Sequence, residues 1–423
     1  MIYSVVILLF SVVLSLYRRD TGLMAAAILQ PMLNSFIAFD TISVGFLLNL
    51  FFCFEYRKEI ISFFKAPHLF RTIYITYAVL VLFSTIIAPS KHFFMAFQDI
   101  LSFVVVPLCA SVCFQNRENL NKFVKILLIC VICCIAYVGF EIVSNSNPIV
   151  ESAVSQNLFA GTLMNSERFG IKQIQCLFAY HETAGCFFWM MAIFLMWIVL
   201  FSKYVDVSKN FILVVIIFAC ICCFFTGSRS SIVSLCLGLV PFAIYRKKYI
   251  VLLPLAIIIC GFAAPEYFVD IYNSIIGSDS SDIGGSTISM RSRQLELSVY
   301  YMLSSPTGGI FGHGLGYTDE VLLGKVSGLA GAESLWFRVM IDEGLIGVAF
   351  MIWVFVYSLK LSYSVNKFLI FIVLAFLCAK TVAVVPAVEV SWMFVFILYF
   401  KYRKVYEHHV LIAQRRYIIL HRQ

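Results

Sequence analysis

The chain has 423 residues, 61% of them hydrophobic and 13% charged, with a mean hydropathy of +0.94. A soluble globular domain is about a quarter charged, so this composition excludes one and points to an integral membrane protein. In such a chain a formal net charge of +8 reads as Lys and Arg anchoring cytoplasmic loops, not as nucleic-acid binding.

Backbone groups in lipid must be satisfied within their own segment, so the apolar runs are helices. They are too long for barrel strands of about ten residues. The expected fold class is all-α and polytopic, with about 12–13 transmembrane helices of roughly 20 residues or fewer. Candidate spans cover residues 1–17, 21–39, 41–54, 72–88, 94–113, 123–143, 183–201, 211–226, 232–245, 250–264, 345–361, 369–385 and 391–399. Segment 60–71 is basic and amphipathic and is expected at the cytoplasmic interface. The 14 cysteines include two tight groups, Cys130, Cys133 and Cys134, and Cys220, Cys222 and Cys223. Both groups sit in uninterrupted apolar runs without His or carboxylate neighbours, so they read as small hydrophobes, not metal ligands. Only Cys176 falls in an external loop, and no disulfide framework is indicated.

Most of the 31 Lys and Arg residues fall on one side of these spans, among them Arg57, Lys58, Arg246, Lys247, Lys248, Lys401, Arg403 and Lys404. That side is cytoplasmic by the positive-inside rule. Loops 144–182 and 265–344 and the short turn 226–231 then face outward. Residues 1–143, 183–264 and 345–400 form three blocks of transmembrane helices, and 401–423 is a basic cytoplasmic tail. His408 and His409 lie in that tail and read as solvated.

The outward side holds few arginines. Arg168, Arg229, Arg291 and Arg293 stand in three different loops there. Arginine grips phosphate with a planar, always charged fork, so the set suits a diphosphate held without a divalent ion. Arg291 and Arg293 sit two residues apart in a predicted helix and diverge by about 200°, so they do not point into one site. The same helix carries an apolar stripe of Ile288, Leu295, Val299, Met302 and Leu303, and it ends at Ser304-Ser305-Pro306. GHGLG at 312–316 forms a tight turn around His313; it follows a helix, not a strand, and is not a dinucleotide motif. Asp279 and Asp282 in GSDSSDIGG lack the ligand spacing of a calcium loop and read as part of a linker.

Taken together, these features resemble the O-antigen ligase/polymerase superfamily. The run from Arg291 to Pro306 and GHGLG, the helix opening AES and closing EGLIG, the earlier GSRS, and an arginine loop ending in His181 all recur in order between Arg168 and Gly347. The resemblance implies a GT-C-like, metal-independent, inverting glycosyltransferase of the bacterial inner membrane, without cofactor. Its donor would be a glycan on undecaprenyl diphosphate, used at the periplasmic face; its other partners would be the bilayer and a chain-length regulator. The implied catalytic residues are Glu333, His313 and Arg291. The implied diphosphate and substrate contacts are Arg168, His181, Arg229, Arg291 and Arg338.

Ligases of the superfamily carry a histidine before the closing motif, where this chain has Glu333 and Ser334. That departure favours a polymerase. Glu333 could serve as general base, pair with Arg291 or Arg338, or cap the next helix together with Ser334. Asp342 and Glu343 are expected to fix the loop. Two rivals remain: an O-antigen ligase, and a lipid-linked glycan flippase without covalent chemistry. A transporter would show ionisable residues and broken helices at mid-span, whereas Gln30-Pro31 and Lys380 are the main ones here.

The orientation has a direct test. Alkaline phosphatase fused near Ser281 should be active, and fused after Lys404 inactive; the reverse pattern would contradict the charge assignment.

Overall fold

The computed structural model describes residues 19–39, 42–65, 70–89, 93–114, 117–161, 167–168, 171–201, 205–245, 288–322, 325–326, 329, 334–382 and 387–420. The candidate spans 1–17 and 250–264, together with Glu333, Asp279 and Asp282, lie outside the described residues. Helix dominates, as the hydropathy requires. Among the described residues three helices are long and apolar enough to cross a membrane, and shorter apolar helices accompany them.

Arg19–Leu33 (α1) is followed by a small hairpin, Ile37–Phe39 (β1) and Ile42–Ser43 (β2). The span predicted over 21–39 therefore ends early. At its end the chain leaves the helix to pair with the first long loop: Ile37 N donates to Leu158 O at 2.8 Å and Ala160 N to Ser35 O at 2.8 Å. Ser43 then caps Val44–Glu55 (α2), its hydroxyl accepting from Phe46 N. Arg57–Lys65 (α3) overlaps the predicted amphipathic segment 60–71. Arg71–Ile87 (α4), Phe93–Cys113 (α5) and Arg117–Ser144 (α6) match their predicted spans closely.

After the short Pro148–Ser155 (α7) and the hairpin Glu167–Arg168 (β3) with Ile171–Lys172 (β4) comes His181–Phe201 (α8). It is apolar all round and buried along nearly its whole length. Such a helix belongs at the centre of a bundle. Lys209–Phe225 (α9) and Arg229–Tyr245 (α10) pack on it. Its aromatic face meets the C-terminal helices: Trp189 touches Phe376, and Phe194 touches Phe396 and Tyr399 edge-on.

The second long loop contributes Ile288–Met302 (α11) and Pro306–Phe311 (α12), then Leu335–Val365 (α13) returns through the bundle. Ile370–Val382 (α14) lies against α10 and α13. Ala387–Leu420 (α15) runs on as helix well past residue 399, where the predicted span stops, so the basic tail continues the last span as helix.

The two ends of the bundle differ in chemistry. At one end Arg19 pairs with Glu55 and Glu59 at 3.2 Å, and Lys404 Nζ reaches Val365 O. The other end, called here the loop end, gathers the long loops and the heads of α8, α10 and α13.

Candidate functional site

The first long loop is fastened to the end of α6 by a carboxylate. Glu141, 2% exposed, accepts from Gln175 N at 3.2 Å and Cys176 N at 2.8 Å. Asn147 Nδ2 donates to Cys176 O, and Tyr137 Oη donates to Asn147 Oδ1, both at 2.6 Å. Cys176 itself is fully buried. Its contact with Cys134, together with burial, holds the thiol well above its ordinary range. Lys172 Nζ reaches Asn145 O at 2.6 Å, so the β3–β4 hairpin that carries Arg168 sits over the same helix end.

This loop also grips the serine-rich turn between α9 and α10. Ile174 N donates to Phe225 O at 3.1 Å, and the Gln173 side chain lies on Gly227. Within the turn Ser228 Oγ exchanges hydrogen bonds with Ser230 and Ser231 at 3.1 and 2.9 Å. Ser231 and Thr226 in turn leave space only for Gly185, one turn into α8. Arg229 is the first residue of α10 and half-buried, whereas the sequence placed the start of that helix at 232. His181 is the first residue of α8 and 6% exposed, with Nε2 3.0 Å from Glu182 Oε1. Its Nδ1 is buried without a hydrogen-bond partner among the described residues. His181 and Arg229 thus head two helices that are tied together by the loop carrying the Arg168 hairpin.

The second group is built on Asp342. Its carboxylate accepts from Thr318 N at 2.9 Å, Thr318 Oγ1 at 2.7 Å and Gly316 N at 3.3 Å. Its carbonyl accepts from Gly314 N at 2.9 Å and from Ser84 Oγ at 3.3 Å. The glycine turn is thereby closed onto α13 and onto the last turn of α4, where Leu315 N also meets Ser84 O. Gly314 adopts φ +104, and a Cβ there would run into the backbone of Ala88. Gly344, φ +65, breaks α13 just after Asp342, where the backbone of Gly312 and Ile310 approaches too closely for a side chain. Only glycine takes these conformations without strain.

His313 stands inside this turn. Its Nε2 lies 2.7 Å from Tyr301 O and 3.2 Å from Ser304 Oγ, and its ring stacks on Tyr317 at 4.8 Å. A carbonyl only accepts, so Nε2 carries the proton and donates it there. Gly308 makes room for that ring, since a Cβ would lie 2.6 Å from Cε1.

Arg291 sits half-buried on the face of α11 that carries the buried Gln294 and Ser298. Arg293 is exposed and pairs with Glu296 at 3.3 Å. The two arginines therefore point apart, as the helical angle required. Arg338, on the first turn of α13, donates from Nη1 to Asp319 Oδ2 at 2.7 Å. Ser334 caps α13 through Trp336 N at 3.3 Å, and Trp336 Nε1 donates to Thr381 Oγ1 at 3.1 Å. That last bond links the second group to α14, and α14 packs on the helix headed by Arg229. Among the described residues no group of three or more His, Cys, Asp or Glu is gathered to hold a metal.

The sequence leads one to expect that Asp342 fixes the loop, and its carboxylate does so by accepting three hydrogen bonds. The sequence expectations leave out Glu141, Ser84 and Thr318. Glu141 was findable, because a lone carboxylate inside the predicted span 123–143 is itself a signal. Ser84 and Thr318 carry no local signal; only the fold brings them to Asp342.

Residues 212–352 match the family model described as O-antigen ligase (Wzy_C). The match covers most of α9, all of α10, α11 and α12, the glycine turn and the first half of α13 with Asp342, and it supports the O-antigen ligase/polymerase superfamily. It is consistent with a membrane-embedded, glycosyl-transferring enzyme. No curated protein matches the chain significantly.

Asp342→Ala should leave the Thr318 and Gly316 donors buried or half-buried without an acceptor. Losing hydrogen bonds to a charged group costs about 2–3 kcal/mol here. The variant should melt at a lower temperature and be cleaved by protease within the glycine turn, while Asp319→Ala on the exposed pair should change melting little. Equal stability of Asp342→Ala and the parent would show that the carboxylate does not hold the turn.

Proposed function

We propose that this protein is a polymerase of O-antigen or a related surface polysaccharide, working at the periplasmic face of the bacterial inner membrane. In this reading the growing glycan on one undecaprenyl diphosphate passes to the terminal sugar of a new lipid-linked repeat unit. The acceptor hydroxyl oxygen attacks the anomeric carbon from the face opposite the diphosphate. The bond from that carbon to the diphosphate oxygen breaks, its electron pair leaves with the phosphate, and the configuration inverts. The hydroxyl proton passes to a base.

The observation that carries the polymerase reading is the residue pair ahead of α13. Where ligases of the superfamily place a histidine, this chain has Glu333 and Ser334. Ser334 is engaged in capping the helix, which leaves Glu333 as the ionisable group at that point. Glu333 is the base in this account. His313 is the weaker candidate, because its Nε2 proton is held by the Tyr301 carbonyl. His181, buried at the head of the central helix with Nδ1 open among the described residues, belongs with the substrate contacts.

Charge develops on the departing diphosphate, and cations fixed in advance stabilise it without reorganising. Arg229 and Arg291 take this role, supported by Arg168. Arg338 is engaged by Asp319 and orients the base segment from the first turn of α13. No metal is required in this account, because the arginine forks neutralise the leaving group.

The test is the lipopolysaccharide ladder of a deletion strain complemented with variants. Core bearing a single repeat in the deletion strain identifies a polymerase; core with no repeat identifies a ligase and overturns the reading. Among the variants, Arg291→Lys keeps the charge and loses the fork. It should fail nearly as badly as Arg291→Ala, whereas Arg293→Ala keeps most activity. One lost charge-assisted contact in the transition state costs roughly 3–4 kcal/mol, a hundredfold to a thousandfold in rate. A ladder abolished by Arg293→Ala and spared by Arg291→Ala would reverse the assignment of the helix faces.

A further inference from the structure

The outer helix α11 has three faces, each with a different chemistry. One face packs on the protein: Gln294 and Ser298 are fully buried, Met302 nearly so, and Leu297 and Tyr301 close over Ile341. A second face is polar and exposed, with the Arg293–Glu296 pair. The third carries Leu295, Val299 and Leu303, spaced four residues apart and all exposed, Leu303 by 61%.

This third face does not end with the helix. The Leu303 side chain lies over Gly309. The next exposed apolar residues, Ile310 and Phe311, follow on α12. Phe311 meets Phe83 of α4 edge-on at 5.3 Å between ring centres. Phe83 belongs to the exposed apolar flank of the apolar helix α4, together with Val79, Leu82 and Ile86. The backbone of Ile310 also abuts Gly344, where exposed Leu345 and Ile346 begin the spanning part of α13. One apolar surface therefore runs from the apolar helix α4 and the long helix α13 onto the loop helices.

We propose that α11 and α12 lie in the outer leaflet of the bilayer, with Leu295, Val299, Leu303, Ile310 and Phe311 against lipid acyl chains. A helix with one apolar flank and one charged flank takes this position at an interface. Tyr300, exposed on the polar flank beside Arg293 and Glu296, falls at head-group level, where tyrosine is favoured. The placement sets Arg291, on the protein-facing side of the same helix, at the depth of lipid phosphates. The inference rests on the membrane embedding of the chain and is independent of the proposed reaction.

The test uses the full chain in nanodiscs that contain a phospholipid with a photoactivatable diazirine in its acyl chain. Adducts are mapped on tryptic peptides. Peptide 72–91, from the apolar helix α4, is the internal positive control. Peptide 294–325 should carry adducts at Leu295, Val299, Leu303 or Phe311. The triple variant Leu295→Glu/Val299→Glu/Leu303→Glu changes only exposed positions. It should lose about tenfold of the 294–325 labelling and keep that of 72–91, because carboxylates do not stay among acyl chains. Tyr300→Glu should leave the labelling unchanged. Adducts on 72–91 with none on 294–325, or crosslinks from this face to a second copy of the chain instead of lipid, would overturn the proposal.

Discussion

Wherever this chain stops being helical near the membrane, its backbone N–H groups must still find acceptors, and a carboxylate at a helix end supplies them. Glu141 does this at the end of α6 for Gln175 and Cys176. Asp342 does it at the break in α13 for Gly316 and Thr318. An unsatisfied backbone group away from water costs several kcal/mol, so both long loops depend on these two anchors. The anchors also divide the charged residues between two tasks. These two acids hold loops, while Arg293 and Arg338 pair with acids of their own, Glu296 and Asp319.

The order of argument from anchor to site is geometric. Asp342 closes the glycine turn, the turn encloses His313, and His313 bonds the last turn of α11 through Tyr301. α11 thereby acquires a fixed rotation, with Arg291 on its inner side and Arg293 in solution. On the other flank Glu141 fixes the first loop, which grips the turn that opens α10 at Arg229. Trp336 and Thr381 connect the two assemblies through α14. Arginines far apart in sequence thus owe their placement to short local devices, each readable as a capped helix, a glycine turn or a buried acid.

Much of this was legible in the chain. Runs of apolar residues located most helices, because lipid leaves the backbone no alternative. The angular separation of Arg291 and Arg293 followed from helix geometry alone. Other features needed the fold. Residues 37–39 read as the tail of a span, and only pairing with 42–43 turns them into strand. Leu295, Val299 and Leu303 were visible as a stripe, but periodicity does not say which side a stripe faces; here Gln294 and Ser298 take the protein side. Ser304-Ser305-Pro306 read as the end of a helix, yet Ser305 and Pro306 also start a new short one through Gly308 and Gly309. Ser84 and Thr318 gave no signal at all, since their importance lies in one acceptor more than twenty residues away.

The central claim is that the loop end joins lipid-linked repeats by itself, with arginines in place of a metal. The most direct measurement is chain growth by the purified protein in liposomes, supplied only with the undecaprenyl-diphosphate-linked repeat unit, in excess EDTA and without lipid A–core. The account predicts lipid-linked chains of two and more repeats. Growth that appears only after magnesium is restored, or transfer that waits for lipid A–core and then adds a glycan to it, would contradict it.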